Sequence, residues 1–124
     1  MSRLLHPGLG DYLDRLTILQ LKIADGRERG RDISHFETER AAIWAAVGTT
    51  PSHAVGVGER LAAINRAIWE ATDFLLAARV AWPHVAEPDV YLIADHAMRV
   101  LQLNEDRAEL VRILNGTRAP EKLR

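Results

Sequence analysis

Cysteine is missing from all 124 residues, which removes disulfides, thiolate metal sites and cysteine nucleophiles together. Aromatic residues are scarce, at 6%. Three of them are Trp44, Trp69 and Trp82, placed at helical spacing or helix ends, which reads as packing rather than as an aromatic ligand cage. Neither sign of charge dominates: 16 Lys and Arg stand against 17 Asp and Glu, for a formal net charge of -1. That balance gives no electrostatic case for nucleic acid or an anionic membrane surface as a partner. No apolar run approaches the roughly 18 residues that a spanning helix needs. The opening segment MSRLLHPG has too few apolar residues for a signal-peptide core, so the expected setting is cytoplasmic. What remains is ordinary globular composition, 48% hydrophobic and 27% charged, sized for one domain over residues 1–124 with a real core.

Helical periodicity organises the chain. The pattern predicts a first helix from Leu9 to Asp25, with Leu9, Leu13, Leu16, Leu19 and Ile23 as its apolar stripe. Tyr12 stands beside that stripe and Gln20 falls inside it. Asp11 and Arg15 read as an outer i,i+4 pair, and Gly26 as a stop. Ser34 with Glu37 makes a capping box opening a second helix through Ile43 and Trp44 to Val47. Gly48 to Gly58, GTTPSHAVGVG, reads as a flexible connector. It lacks the G-x-x-x-x-G-K-[ST] pattern of a phosphate-cradling loop. A third helix is expected from Glu59 to Ala81, with Leu61, Ile64, Ile68, Ala71, Leu75 and Ala78 at the 3-4 spacing of a bundle seam.

The longest pattern, Pro88 to Asn115, opens on Pro and Asp and ends before Gly116. On a wheel Val90, Ile93, Ala97, Val100, Leu101, Ala108, Val111 and Leu114 form one broad apolar arc with Asn104 near its middle. The tail over 116–124 is expected to fray. These elements describe an all-α fold, a four-helix antiparallel bundle with a long C-terminal helix. The arc exceeds what one neighbour covers, so a homo-oligomer, a dimer, is expected.

Chemistry-bearing patterns are few. Glu70 and Asp73 make one ExxD pair of the kind that holds magnesium in all-α nucleotide pyrophosphohydrolases. No partner ExxE stands on the second helix, and Glu70 points away from the seam. His6, His35, His53, His84 and His96 are scattered without HExxH spacing, and no nucleophile elbow surrounds any serine. No metal site and no cofactor are expected.

The distinctive signal is polar residues on core faces: Gln20, Asn65, Thr72, Asn104 and Arg107. A buried amide without a partner costs on the order of 1–3 kcal/mol, so these must satisfy one another, water or a ligand. In a hairpin pivoting near His84 and Val85, levels match where residue numbers add to about 169. Asn65 and Asn104 meet that condition. They are expected at one height, sharing a network bordered by Arg107. Such a layer fixes helix register, as a core Asn does in coiled coils.

Three blocks resemble a family of small uncharacterised bacterial proteins. GDYLDRLTILQLK, Gly10 to Lys22, is similar to G-E-L-x-D-K-L-T-I-L-E-I-K. INRAIWEATD, Ile64 to Asp73, is similar to V-N-x-x-L-W-x-x-E-D. LQLNEDRAELVRILN, Leu101 to Asn115, is similar to Y-R-x-N-D-R-R-A-x-L-x-x-x-I-N. The departures include Asp11, Thr72, Glu105 and Asp106, and residues 26–58 match little. The resemblance implies an all-α bacterial domain associated with surface-polysaccharide gene clusters, and no established activity. Its shared positions are Asp14, Thr17, Lys22, Asn65, Trp69, Asp73, Asn104, Arg107 and Asn115. From these, Asp14, Lys22, Asn65, Asn104 and Arg107 are the candidate ligand site, Lys22 and Arg107 meeting a small anionic ligand that the two asparagines orient. The competing role for Asp14 is ion partner of Arg107. The expected function is a binding or assembly module with a buried polar layer. The alternative is a small enzyme or sensor for a phosphorylated or nucleotide-linked metabolite.

Overall fold

The computed structural model describes residues 8–82, 84 and 86–116. It holds four helices: α1 (Leu9–Glu28), α2 (Ser34–Val47), α3 (Ser52–Ala81) and α4 (Glu87–Asn115). No strand occurs among the described residues. Consecutive helices run antiparallel, so the fold is the all-α antiparallel bundle that the periodicity describes. α1 is the hub and packs against the other three, while α3 and α4 form the most extensive pair. Their 30 and 29 residues make rods of about 45 Å, against about 30 Å for the 20 residues of α1. The hairpin of α3 and α4 therefore outreaches α1.

The stripe of α1 is buried as its spacing requires: Leu13, Leu16, Leu19 and Ile23 face inward and join Ile43, Ala54, Leu61, Leu110 and Leu114 in the interior. Gln20 is exposed, one position outside that stripe. Gly26 does not stop the helix, which runs two residues further, to Glu28. It is buried because Ile33 packs where its Cβ would stand. α2 also departs from its expected start. Ser34 is its first helical residue and makes no cap bond; instead Asp32 Oδ1 accepts the Ser34 N–H at 2.9 Å. That backbone hydrogen bond holds the Asp32 carboxyl below its usual range.

The expected connector over Gly48 to Gly58 is mostly helix, since α3 begins at Ser52. Two interior glycines disfavour helix by about 1 kcal/mol each relative to alanine. Tertiary packing overrides them: Ala54 is fully buried in the core, and Gly58 lies against Leu13. The expected seam of α3 is otherwise as spaced, with Leu61 and Ala71 buried and Ile64, Ile68, Leu75 and Ala78 half-buried.

The arc assigned to α4 is displaced by about a quarter turn. Its inner face is Ile93, His96, Val100, Leu103, Arg107, Leu110 and Leu114, all buried or half-buried and spaced three and four apart. Two polar residues in that seam obscure it on a hydrophobicity wheel. His96 is accommodated by stacking on Phe74, with ring centroids 4.0 Å apart. Arg107 is accommodated by an ion pair described below. Val90, Ala97, Leu101 and Ala108, central to the expected arc, are exposed, Leu101 by 61%. With Ala94 and Asn104 they make a second stripe of four-three spacing along the outside of α4. The tail beyond Gly116 lies outside the described residues.

Candidate functional site

One buried polar cluster joins three helices. α1 contributes Asp14 and Thr17, one turn apart on the flank of the leucine stripe. α3 contributes Asn65 and α4 contributes Arg107. The guanidinium grips the carboxylate with two hydrogen bonds, Nε to Oδ1 at 2.8 Å and Nη2 to Oδ2 at 2.6 Å. Side-chain exposure is 31% for Arg107 and 15% for Asp14, so the pair is partly shielded from water. Its hydrogen bonds with Asp14 raise the Arg107 pKa above the ordinary arginine value, against the opposing effect of burial. Asn65 is 4% exposed, the one buried polar side chain among the described residues. Its Nδ2 donates to Asp14 Oδ1 at 2.8 Å and to Thr17 Oγ1 at 2.6 Å, while Thr17 Oγ1 donates to the Asp14 carbonyl at 2.8 Å.

Donor and acceptor chemistry fixes the amide's orientation. An ionised Asp14 only accepts, and the Thr17 hydrogen is already used, so the nitrogen of Asn65 must face both. Its oxygen therefore points elsewhere and accepts no hydrogen bond from a described residue. No sealed side-chain polar atom among the described residues lacks a partner, so that oxygen reaches open space. Asn65 lines a cleft of ≈ 330 Å³ between α1 and α3. Ile18, Leu21, Ile68, Trp69 and Leu76 supply its apolar walls, Thr72 and Asp73 are exposed at its edge, and Arg107 borders it from α4.

Of the five candidate residues, Asp14, Asn65 and Arg107 come together. Lys22 does not join them. Eight residues along α1 from Asp14, about 12 Å of axial rise, its Nζ sits 5.5 Å from the centre of the Phe36 ring on the α2 side. Asn104 does not share the network either. It is exposed, and its Nδ2 donates to the Val100 carbonyl of its own helix at 3.1 Å. The displaced seam turns its face outward. It borders only the outer side of Arg107, along a shallow cleft shared with Asp14 and Asn115. Thr17 completes the cluster in place of Asn104. The signal for it was its place three residues after Asp14 on the same helical face.

A second polar knot explains Asn115. Its Oδ1 accepts the N–H of Gly10 at 2.7 Å and of Asp11 at 3.2 Å, and its Nδ2 donates to Asp11 Oδ2 at 3.1 Å. The last residue of α4 thus caps the first turn of α1, meeting N–H groups that have no partner within their own helix. The approach is too close for side chains: a Cβ on Gly10 would collide with the Val111 carbonyl oxygen, and one on Gly8 with the Asn115 amide. Asp11 is consequently not the partner of Arg15. Arg15 reaches across to α2, where Nε and Nη2 hold Glu39 at 2.7 and 2.9 Å.

Glu70 and Asp73 are both exposed on α3. No group of three or more histidine or acidic side chains able to hold a metal occurs among the described residues. No described helix is long and apolar enough to cross a membrane. Comparison of the chain with protein-family models, with curated proteins and with solved structures finds no match.

Proposed function

We propose that this chain is an assembly module in which α4 pairs with α4 of a second copy along its outer stripe. The observation carrying the reading is that stripe: Val90, Ala94, Ala97, Leu101, Asn104 and Ala108 repeat at four-three spacing and are exposed. A surface helix needs only one such seam to join its own bundle, and α4 already uses its inner one. Three alanines would let two helix axes approach closely. Asn104 is the kind of residue that sets register at a core position, best satisfied by its own counterpart in a parallel pair. The occupant is therefore a second copy, side by side and in register. The cluster of Asp14, Thr17, Asn65 and Arg107 would hold α4 at one rotation against α1 and α3, keeping the outer stripe outward. Kinship with the small bacterial family rests on the three sequence blocks and is part of this proposal.

The absence of cysteine makes the test direct. A single Ala97→Cys or Asn104→Cys substitution in the full chain should form a disulfide-linked dimer under mild oxidation. Arg66→Cys, on the exposed side of α3, should not. Equal cross-linking at all three positions would remove the reading. An anion-sensing site is the second reading and draws on Arg107. Against it, Asp14 already balances that charge and Lys22 stands on another face.

A further inference from the structure

We infer that the cleft between α1 and α3 binds a small planar heteroaromatic molecule of the nucleobase class, held by Asn65 at its inner end. The inference is independent of the assembly reading, which is carried by the outer stripe of α4. The polar atoms of an almost fully buried side chain ordinarily each have at least one hydrogen-bond partner, from the protein or from ordered water. In Asn65 only the nitrogen has one among the described residues. Its nitrogen is consumed by Asp14 and Thr17, while its oxygen has no described partner and is not sealed from the surroundings, and the residue lines the cleft. The amide cannot rotate to change this, because its nitrogen is the only group there that can donate to both oxygens.

The surroundings select the ligand. At ≈ 330 Å³ the cleft is at the small end of the usual range for ligand pockets, about 300–1,000 Å³. Its walls are aliphatic with one indole, that of Trp69, which suits a flat, weakly polar body. At the inner end the Asn65 oxygen asks for an N–H donor. Arg107, which borders the cleft, has used Nε and Nη2 on Asp14, leaving Nη1 bonded to no described residue. A donor next to an acceptor on one edge is what a nucleobase presents. A free carboxylate or phosphate fits poorly. It would face the Asn65 oxygen and the Asp73 carboxylate, and the cation that borders the cleft, Arg107, is already balanced by Asp14.

The experiment uses the full chain with indole-¹⁵N tryptophan and a panel of four nucleosides, adenosine, guanosine, cytidine and uridine, at up to millimolar concentration. At least one should move the Trp69 indole signal, assigned by Trp69→Phe, while benzoate and inorganic phosphate leave it in place. Ile68→Glu puts a charge on the cleft wall without touching the polar cluster, and should weaken binding at least tenfold with the helical circular dichroism unchanged. Thr72→Trp, at the exposed edge, is a second variant that should weaken binding by occupying the cleft. The inference is overturned if no nucleoside moves the signal, or if binding persists unchanged in both variants. It is also overturned if phosphate or benzoate competes equally. Light scattering on the same samples keeps the two proposals apart: a monomer that binds a nucleoside removes only the assembly reading, and a dimer that binds none removes only this one.

Discussion

At the scale of single residues, the polar cluster ranks its members by what each removal strands. Asp14→Ala deletes the acceptor of Arg107 and of Asn65 in one step, leaving a partly buried guanidinium without its counter-charge. Hydrogen bonds to charged groups contribute about 1.5–3 kcal/mol each where shielded. Because Arg107 keeps 31% exposure, water recovers part of that, and a loss of about 2–3 kcal/mol is expected. Asn104→Leu should shift monomer stability by no more than about 0.5 kcal/mol, since its side chain is exposed and bonded only within its own helix. Urea denaturation of both variants at low protein concentration checks the ranking, and a larger loss for Asn104→Leu would reverse it. Asn65 and Arg107 were legible in the sequence because each is a polar residue at a seam position. Asn104 was misread for a physical reason. An asparagine among alanines and valines on a wheel is the same signal whether the apolar face belongs to the core or lies outside it.

At the scale of elements, glycine chemistry separates positions that look alike in sequence. Gly56 and Gly26 both lie inside helices without a left-handed φ. A Cβ at Gly56 meets open space, whereas one at Gly26 meets the Ile33 side chain. Gly56→Ala should therefore stabilise the chain by about 0.5–1 kcal/mol through helix propensity, and Gly26→Ala should destabilise it. Adding Ile33→Ala to Gly26→Ala should recover part of the loss, which thermal melts of the three variants would read. The joint between α1 and α2 adds a pH dependence. Glu39 is held below the usual glutamate range, first by its hydrogen bonds from Arg15, with burial opposing. A carboxylate depressed in the fold contributes stability above its unfolded pKa and loses it as pH falls through the folded value. Melting temperature should thus drop as pH goes from about 5 to 3, and less steeply in Glu39→Gln. An equal slope in the two chains would show that another carboxylate carries the effect. Helix type and order were readable from period alone. The start of α3 was not, because two glycines and a proline outweigh a partner surface on α1 that no local window contains.

At the scale of the whole molecule, α4 carries two seams where a monomer needs one. The inner seam contains His96 and Arg107, and each is compensated by a specific partner, Phe74 and Asp14. The outer seam contains only small or apolar residues and Asn104, and has no partner within the described residues. This inversion, in which the inner face is the more polar, misplaces the arc when it is read from hydrophobicity alone. It also bears on what the outer face is for. Leu101, at 61% exposure, sits next to Asn104 in that stripe and would be fully covered in a paired helix. Leu101→Glu removes apolar area and places like charges opposite each other at the centre of the pair, while its exposed position leaves the monomer fold intact. Light scattering at micromolar concentration should give about twice 13.9 kDa for the native chain and the monomer mass for Leu101→Glu, with matching circular dichroism. Asn104→Leu should have the opposite effect, extending the apolar stripe and tightening association while loosening its register. The Ala97→Cys disulfide would then form alongside out-of-register species. A native chain that stays monomeric at the highest concentration tested would leave the outer seam without a role in self-assembly.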